Sequence, residues 1–272
     1  MCGVSATMIP VCSLAQGEVD VAGTSQALKS WVRTIKESEV SLLLDLAVPE
    51  RRLEIWRQDA NVLLPQEDAS YRSLLIKLVE RCFLDHDGER ILKTPYLHFY
   101  QNGWSQLRND LFYARYGLSH PWTLRAMREV ILPRLSASTG QEEDLLINLS
   151  DFDALVDRHI DENIGQSSRK KTRSTVVGVL KNLGVLEPTG GNRAPLRVQQ
   201  ARPSPMAFSW VLHRQLVQLN APILEENLIV HSDASVLFAT HRDYARRCVE
   251  SALKRGLIAR EPNRSLWIHV PE

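Results

Sequence analysis

Cysteine is scarce in this chain of 272 residues: Cys2, Cys12, Cys82 and Cys248 are the four present, with no CxxC pair and no histidine nearby at metal-ligand spacing. That excludes a zinc ribbon and a disulfide framework, and it fits a protein of the reducing cytoplasm. Long apolar runs are missing as well. The longest, "VSLLLDLAV", is broken by Asp45 and falls far short of the roughly 20 residues that cross a bilayer, so no membrane partner is expected. The opening "MCGVSATMIPVCSLAQGEVDVAG" lacks the basic start of a signal peptide, and residues 1–23 read as a poorly ordered leader.

Catalytic signatures are absent too. The chain has no phosphate-cradling glycine loop, nucleophile elbow or deaminase motif. His231, Asp233, His241 and Asp243, and the "DHD" at Asp85 to Asp87, are ligand residue types without paired spacing, and they read as loop and cap residues. The expectation is a protein that is not an enzyme, with no catalytic residue, metal, cofactor or small-molecule substrate.

Positive charge is in short supply overall. The formal net charge is only +1, which argues against a surface coated in positive potential, but the distribution is uneven. From Gly165 to Pro203 eight cations face the single acid Glu187, for a local +7. From Thr240 to Glu272 seven cations face four acids, for +3, and the remainder sums to −9. An acidic body with a basic face is what steering of a polyanion requires.

With 44% hydrophobic residues the chain can bury one large core or two smaller ones. Its first half reads as helices. "TSQALKSWVRTIKES" carries Leu28, Trp31, Val32 and Ile35 at 3-and-4 spacing behind Thr24 or Ser25. "SEVSLLLDLAV" then runs to Pro49, which stands where the first-turn proline of the next helix belongs. "EDASYRSLLIKLVERCFLD" follows, and the aromatic-rich stretch from Pro95 continues the pattern, with Pro121 and Pro133 bracketing one helix. Arg108, Arg115, Arg125 and Arg128 interleave with these aromatics. Helical recurrence of the aromatic and leucine positions favours core packing over base stacking. Residues 24–145 read as a helical bundle, closed by the acidic, linker-like Glu142, Glu143 and Asp144.

Residues 146–205 change character. "NLSDFDALVDRHIDENIG" reads as a helix with Ser150 as cap and Asp153 in the capping-box position; Gly165 breaks the chain, and a second helix runs from about Ser168 to Leu183, stopped by Gly184. "VLEP", the turn "TGGNRA" and "PLRVQQ" read as a hairpin. This is the order of a winged helix-turn-helix. Projected at 100° per residue, Val176, Val179, Leu180 and Leu183 face inward, while Lys171, Ser174, Thr175, Gly178, Lys181 and Asn182 face outward without an acid. Such a surface suits a phosphate-lined groove, with Ser174, Thr175 and Asn182 short enough to reach a base edge or a phosphate. Gly178 costs about 1 kcal/mol of helix propensity, which invites an explanation such as close backbone approach.

A shorter echo occupies residues 206–272. "THRDYARRCVESALKRGLIAREPNRSLWIHV" reads as Thr240 and Asp243 forming a capping box, an amphipathic helix, a Gly256 stop and a hairpin, with Arg247, Ser251 and Lys254 outward. The expected fold is therefore mainly α: an N-terminal helical bundle followed by two winged-helix-like units with short β-hairpins. The candidate nucleic-acid-binding residues are Arg169, Lys170, Lys171, Arg173, Ser174, Thr175, Lys181, Asn182, Arg193 and Arg197, with Arg246, Arg247, Lys254 and Arg264 on the second unit.

Three segments, "RRLEIWRQDANVLLPQEDASYRSLLIKLVERCFL", "NDLFYARYGLSHPWTLRAMREVILPRL" and "LSDFDALVDRHI…SSRKKTRSTVVGVLKNLGVLEP", followed by "SPMAFSWVLHRQL", make the chain resemble the BrxA family of BREX bacteriophage-exclusion systems. The most telling parts are the "H-P-x-x-x-x-x-x-x-E-V" helix at His120 to Val130 and the "T-R-x-x-V-x-x-x-L-x-x-L-G-V-L" helix at Thr172 to Leu186; the long leader before Gly23 departs from the family pattern. The resemblance implies a non-enzymatic double-stranded-DNA-binding component of a multi-protein phage-defence system, with other subunits of that system as partners. A plasmid-type replication initiator or transcriptional regulator with two winged helices, and a protein-only interaction scaffold, are the alternatives.

Overall fold

The computed structural model describes residues 37–65, 68–137, 145–160, 163–191, 194–263 and 265–268. The leader, the helix expected behind Thr24 or Ser25, the acidic run at Glu142 and two candidate cations, Arg193 and Arg264, lie outside the described residues. The fold is mainly helical, with two small three-stranded antiparallel sheets.

Five helices open the described chain: α1 (Glu37–Asp45), α2 (Leu53–Leu63), α3 (Ala69–Phe83), α4 (Pro95–Gln101) and α5 (Ser105–Ser119). Pro49 does not start α2 as expected. It sits in a turn before Glu50, whose φ is +66°, and the strand-like stretch that follows bonds to residues 89–91 instead. Glu50 N–H donates to Ile91 O (2.8 Å), and Leu53 N–H to Glu89 O (2.7 Å). These long-range bonds satisfy backbone groups that a helix beginning at Pro49 would have had to turn elsewhere.

The helix bracketed in the sequence by Pro121 and Pro133 also differs. Helix α6 (Pro121–Ala126) does start on its proline, but the chain runs through a π-helical turn, Met127–Ile131, into α7 (Leu132–Ala137), so Pro133 lies inside. Leu132 N–H bonds to Met127 O, five residues back. A proline has no N–H to give, and the widened turn just ahead of it accommodates the ring without ending the helix.

The remaining elements alternate short strands with helices: β1 (Leu146–Ile147), α8 (Leu149–His159), α9 (Gln166–Asn182), β2 (Leu186–Pro188), β3 (Leu196–Val198), then α10 (Pro205–Leu219), β4 (Ile223–Leu224), α11 (Glu225–His231), α12 (Asp233–Leu237), α13 (Arg242–Lys254), β5 (Ile258–Arg260) and β6 (Ser265–Ile268). The sheet orders are β1-β3-β2 and β4-β6-β5, so each expected hairpin gains a third, two-residue strand, from the residues just before α8 and just before α11. Both caps expected in this half are displaced. Asn148, not Ser150, caps α8, with its N–H donating to Asp151 Oδ2 (2.8 Å). His241, not Thr240, caps α13, its Nδ1 accepting from Asp243 N–H (3.2 Å). In each case β-region backbone falls at the residue directly before the first helical one, and the cap follows the backbone.

One continuous core joins the parts. Trp56, Phe83, Tyr96, Tyr100 and Phe112 fill the bundle, and Leu180, Phe208 and Leu237 extend it through α9, α10 and α12. Arg115 on α5 is the polar pin: it pairs with Asp85 (2.7 and 3.0 Å), donates to Cys82 O (2.9 Å) and lies over the rings of Tyr96 on α4 and Trp210 on α10. A second tie is Asp110 Oδ2 on α5, which accepts from Ser204 N–H at the head of α10 (2.6 Å). Burial raises the Asp110 carboxyl above its usual value.

Candidate nucleic-acid interface

Helix α9 forms because its inward residues Val176, Val179 and Leu180 recur at helical spacing and are buried, and it stops where Gly184 takes φ +72°. The opposite stripe is solvent-facing: Lys170, Lys171, Ser174, Lys181 and Asn182 are exposed and Thr175 and Gly178 half-buried. Two of the short donors are turned onto their own helix. Ser174 Oγ donates to Lys170 O and Asn182 Nδ2 to Gly178 O, both at 2.8 Å, which leaves their oxygen lone pairs outward.

The cations of α9, four in the run Arg169 to Arg173 and then Lys181, divide into two sets. Arg173 Nη1 donates to both Asp153 oxygens (2.7 and 2.9 Å), and Arg169 pairs with Asp157 (2.6 Å) while its Nε donates to Ile164 O (2.9 Å). Both arginines therefore tie α9 to α8. Among the described residues Lys170, Lys171 and Lys181 make no ion pair, and they are the cations of α9 that the fold leaves to solvent. Arg197 stands opposite Glu187 in the β2–β3 register and is half-buried.

The outward stripe of α9 is also one wall of a groove of about 580 Å³ whose other wall is the aromatic row Phe112, Tyr113 and Tyr116 of α5. Among the described residues no Asp or Glu lines it. The two helices close on each other at one end through Gly117, where an added Cβ would stand 3.3 Å from Val179 Cγ1. Gly178 is different: an added Cβ there meets no protein atom within 4 Å, so the expected close backbone approach is not made by the protein itself. Sequence reasoning assigned these α5 aromatics to the core. Phe112 and Tyr116 are buried as expected, but Tyr113 is only half-buried and faces the groove.

The second unit is built from the same residue types with the opposite balance. On α13, Arg246 lies near Asp243 (3.5 Å) and Glu226 (3.8 Å), Arg242 pairs with Glu226, and Arg260 on β5 bridges Glu225 (2.9 Å) and Glu250 (2.6 Å). Arg247 lies over the Tyr244 ring (5.5 Å), and Lys254 makes no ion pair among the described residues. Its exposed face thus carries acids among the cations.

The residues of ligand type disperse into structural contacts. Asp233 pairs with Arg128 (3.1 Å), His241 caps α13, and among the described residues no three His, Cys, Asp or Glu side chains gather in metal-binding geometry. No helix of the described residues is long and apolar enough to cross a membrane. Compared with protein-family models, with curated proteins and with solved structures, the chain finds no match.

Proposed function

We propose that this protein binds double-stranded DNA mainly through the phosphate backbone, without catalysing a reaction on it, as a component of a multi-protein phage-defence system of the kind its resemblance to the BrxA family implies. In this reading residues 146–205 and 206–272 each hold a winged helix-turn-helix unit, with its strands and helices at 146–198 and 223–268. The support is their shared order of strand, two or more helices and a returning hairpin, with the first strand joining the sheet beside the last. The observation that carries the DNA reading is the exposed α9 stripe: three lysines without ion pairs among the described residues, interleaved with short polar side chains and free of acids. Lysines of this kind bind phosphate as solvated point charges, which positions a duplex without reading its sequence.

A second reading applies to the second unit. Its cations are matched locally by Glu225, Glu226, Asp243 and Glu250, so its exposed face is better suited to another protein of the same system than to a polyanion. The test of the first reading is a titration of random-sequence duplex by the full chain at several salt concentrations. Three phosphate contacts give a log–log slope of about −2.7, and absence of duplex binding at low salt overturns the proposal.

A further inference from the structure

The groove between α5 and α9 is not needed for a purely phosphate-directed grip. Its two walls differ in chemistry. The α5 wall is aromatic: half-buried Tyr113 stands edge to face with Phe112 (4.8 Å, 89°), while Phe112 and Tyr116 are buried and stacked on Phe83 (5.0 and 6.2 Å). The α9 wall carries the Ser174 and Thr175 hydroxyls and the Asn182 amide, with Lys170 and Lys171 at the rim. The two helices touch at Gly117, where an added Cβ would stand 3.3 Å from Val179 Cγ1. One unstacked base fits such a cleft, since every base has an apolar face for an aromatic wall and polar edges for hydroxyls and amides. The absence of carboxylates from the lining and the lysines at its rim match the phosphates that flank such a base.

Resting on the DNA-binding reading above, we propose that the groove between α5 and α9 holds an unpaired base of the bound DNA against the half-buried Tyr113 ring, with Lys170 and Lys171 on its flanking phosphates. The protein then prefers duplexes that offer a single-stranded end or an unpaired position over fully paired ones. Gly178 acquires a reason in this arrangement: the space above it is empty of protein, and a side chain there would occupy the cleft.

The test compares, for the full chain at one fixed salt concentration, a blunt duplex with the same duplex carrying a four-thymidine overhang at each 3′ end, by fluorescence anisotropy. The overhang is expected to tighten binding about tenfold, as one to two stacked bases would. Gly178→Leu, which fills the groove, and Tyr113→Ala, which removes the ring of its α5 wall, are each expected to bring that ratio to about one. Using the ratio cancels any shared loss of duplex affinity. A ratio of one in the unaltered protein, with blunt duplex still bound, overturns this inference and leaves the DNA-binding reading standing. Failure to bind either duplex removes both. A tenfold ratio that survives folded Gly178→Leu places the base elsewhere and also overturns the inference; this variant decides the matter if Tyr113→Ala does not fold.

Discussion

Two double variants of α9 remove the same charge from the same helix and should behave differently. Lys170→Gln with Lys171→Gln deletes two cations that make no ion pair among the described residues, whereas Arg169→Gln with Arg173→Gln deletes two that are held by Asp157 and Asp153 at 2.6 and 2.7 Å. If Lys170, Lys171 and Lys181 are the phosphate contacts, the unaltered slope is about −2.7, and a fourfold rise in salt weakens duplex binding about 40-fold. The lysine pair should lower the slope to about −0.9, so that the same rise in salt costs only about fourfold. The arginine pair should keep nearly the full slope and lose stability instead. Its bridges are partly exposed, and solvent screening holds each to about 0.5–1 kcal/mol, or a few degrees of Tm in all. Anisotropy titrations at four salt concentrations and thermal melts on the same preparations read both quantities. Equal flattening by the two pairs would show that the ladder between α8 and α9 opens on DNA, and would refute the division of labour argued from the structure.

Three further outcomes follow from packing and burial. Gly178→Ala should stabilise the fold by about 0.5–1 kcal/mol, because helix propensity improves and the new methyl meets nothing; Gly117→Ala should not, because its methyl would press on Leu237, Thr123 and Val179 at 3.3 Å each, and thermal melts separate the two. Burial pushes the His120 imidazole down to about 4, so the unfolded chain takes up this proton first as pH falls. Stability should therefore be full above about pH 6.5 and decline toward pH 4, by on the order of 3 kcal/mol, and denaturant melts of His120→Asn should show a shallower decline across that window. Burial raises the Asp85 carboxyl, but the Arg115 guanidinium outweighs this and holds it below the usual carboxylate range. Arg115→Met, which strands that carboxylate, should cost about 3–5 kcal/mol, and adding Asp85→Leu should restore a large part; a single variant as stable as the parent would contradict the pinning role.

Most of the helices could be read from the sequence because burial in this fold is one-sided. Leu75, Val79 and Cys82, or Val176, Val179 and Leu180, recur at the helical period and are buried, so the pattern and the packing are one fact. Where the reading missed, the deciding partner was remote in sequence. Pro49 has the chemistry of a helix start, yet the backbone there bonds to residues 89–91, some 40 positions on. Strands β1 and β4 have two residues each, too few for any alternation to register, and exist because the hairpins β2–β3 and β5–β6 offer them an edge.

The basic run shows the same limit at the level of single side chains, and here a usable signal was present. Asp153 and Asp157 are four residues apart on α8, and Arg169 and Arg173 are four apart on α9; two helices packed together through a short turn bring 153 opposite 173 and 157 opposite 169. Counting charge by window gave all these cations to one surface, whereas matching spacing across the turn separates them. What remains is a helix whose arginines face its neighbour and whose lysines face solvent. That allocation agrees with the chemistry of the two side chains. A guanidinium has several donors in a fixed fork, and at Arg169 it serves a carboxylate and the Ile164 carbonyl of the turn at once. An ammonium on a flexible stem keeps its hydration and moves with the phosphate it follows, so it loses less by waiting unpaired at the surface. The lysines, not the arginines, are therefore the side chains whose removal should be felt by a polyanion and not by the fold.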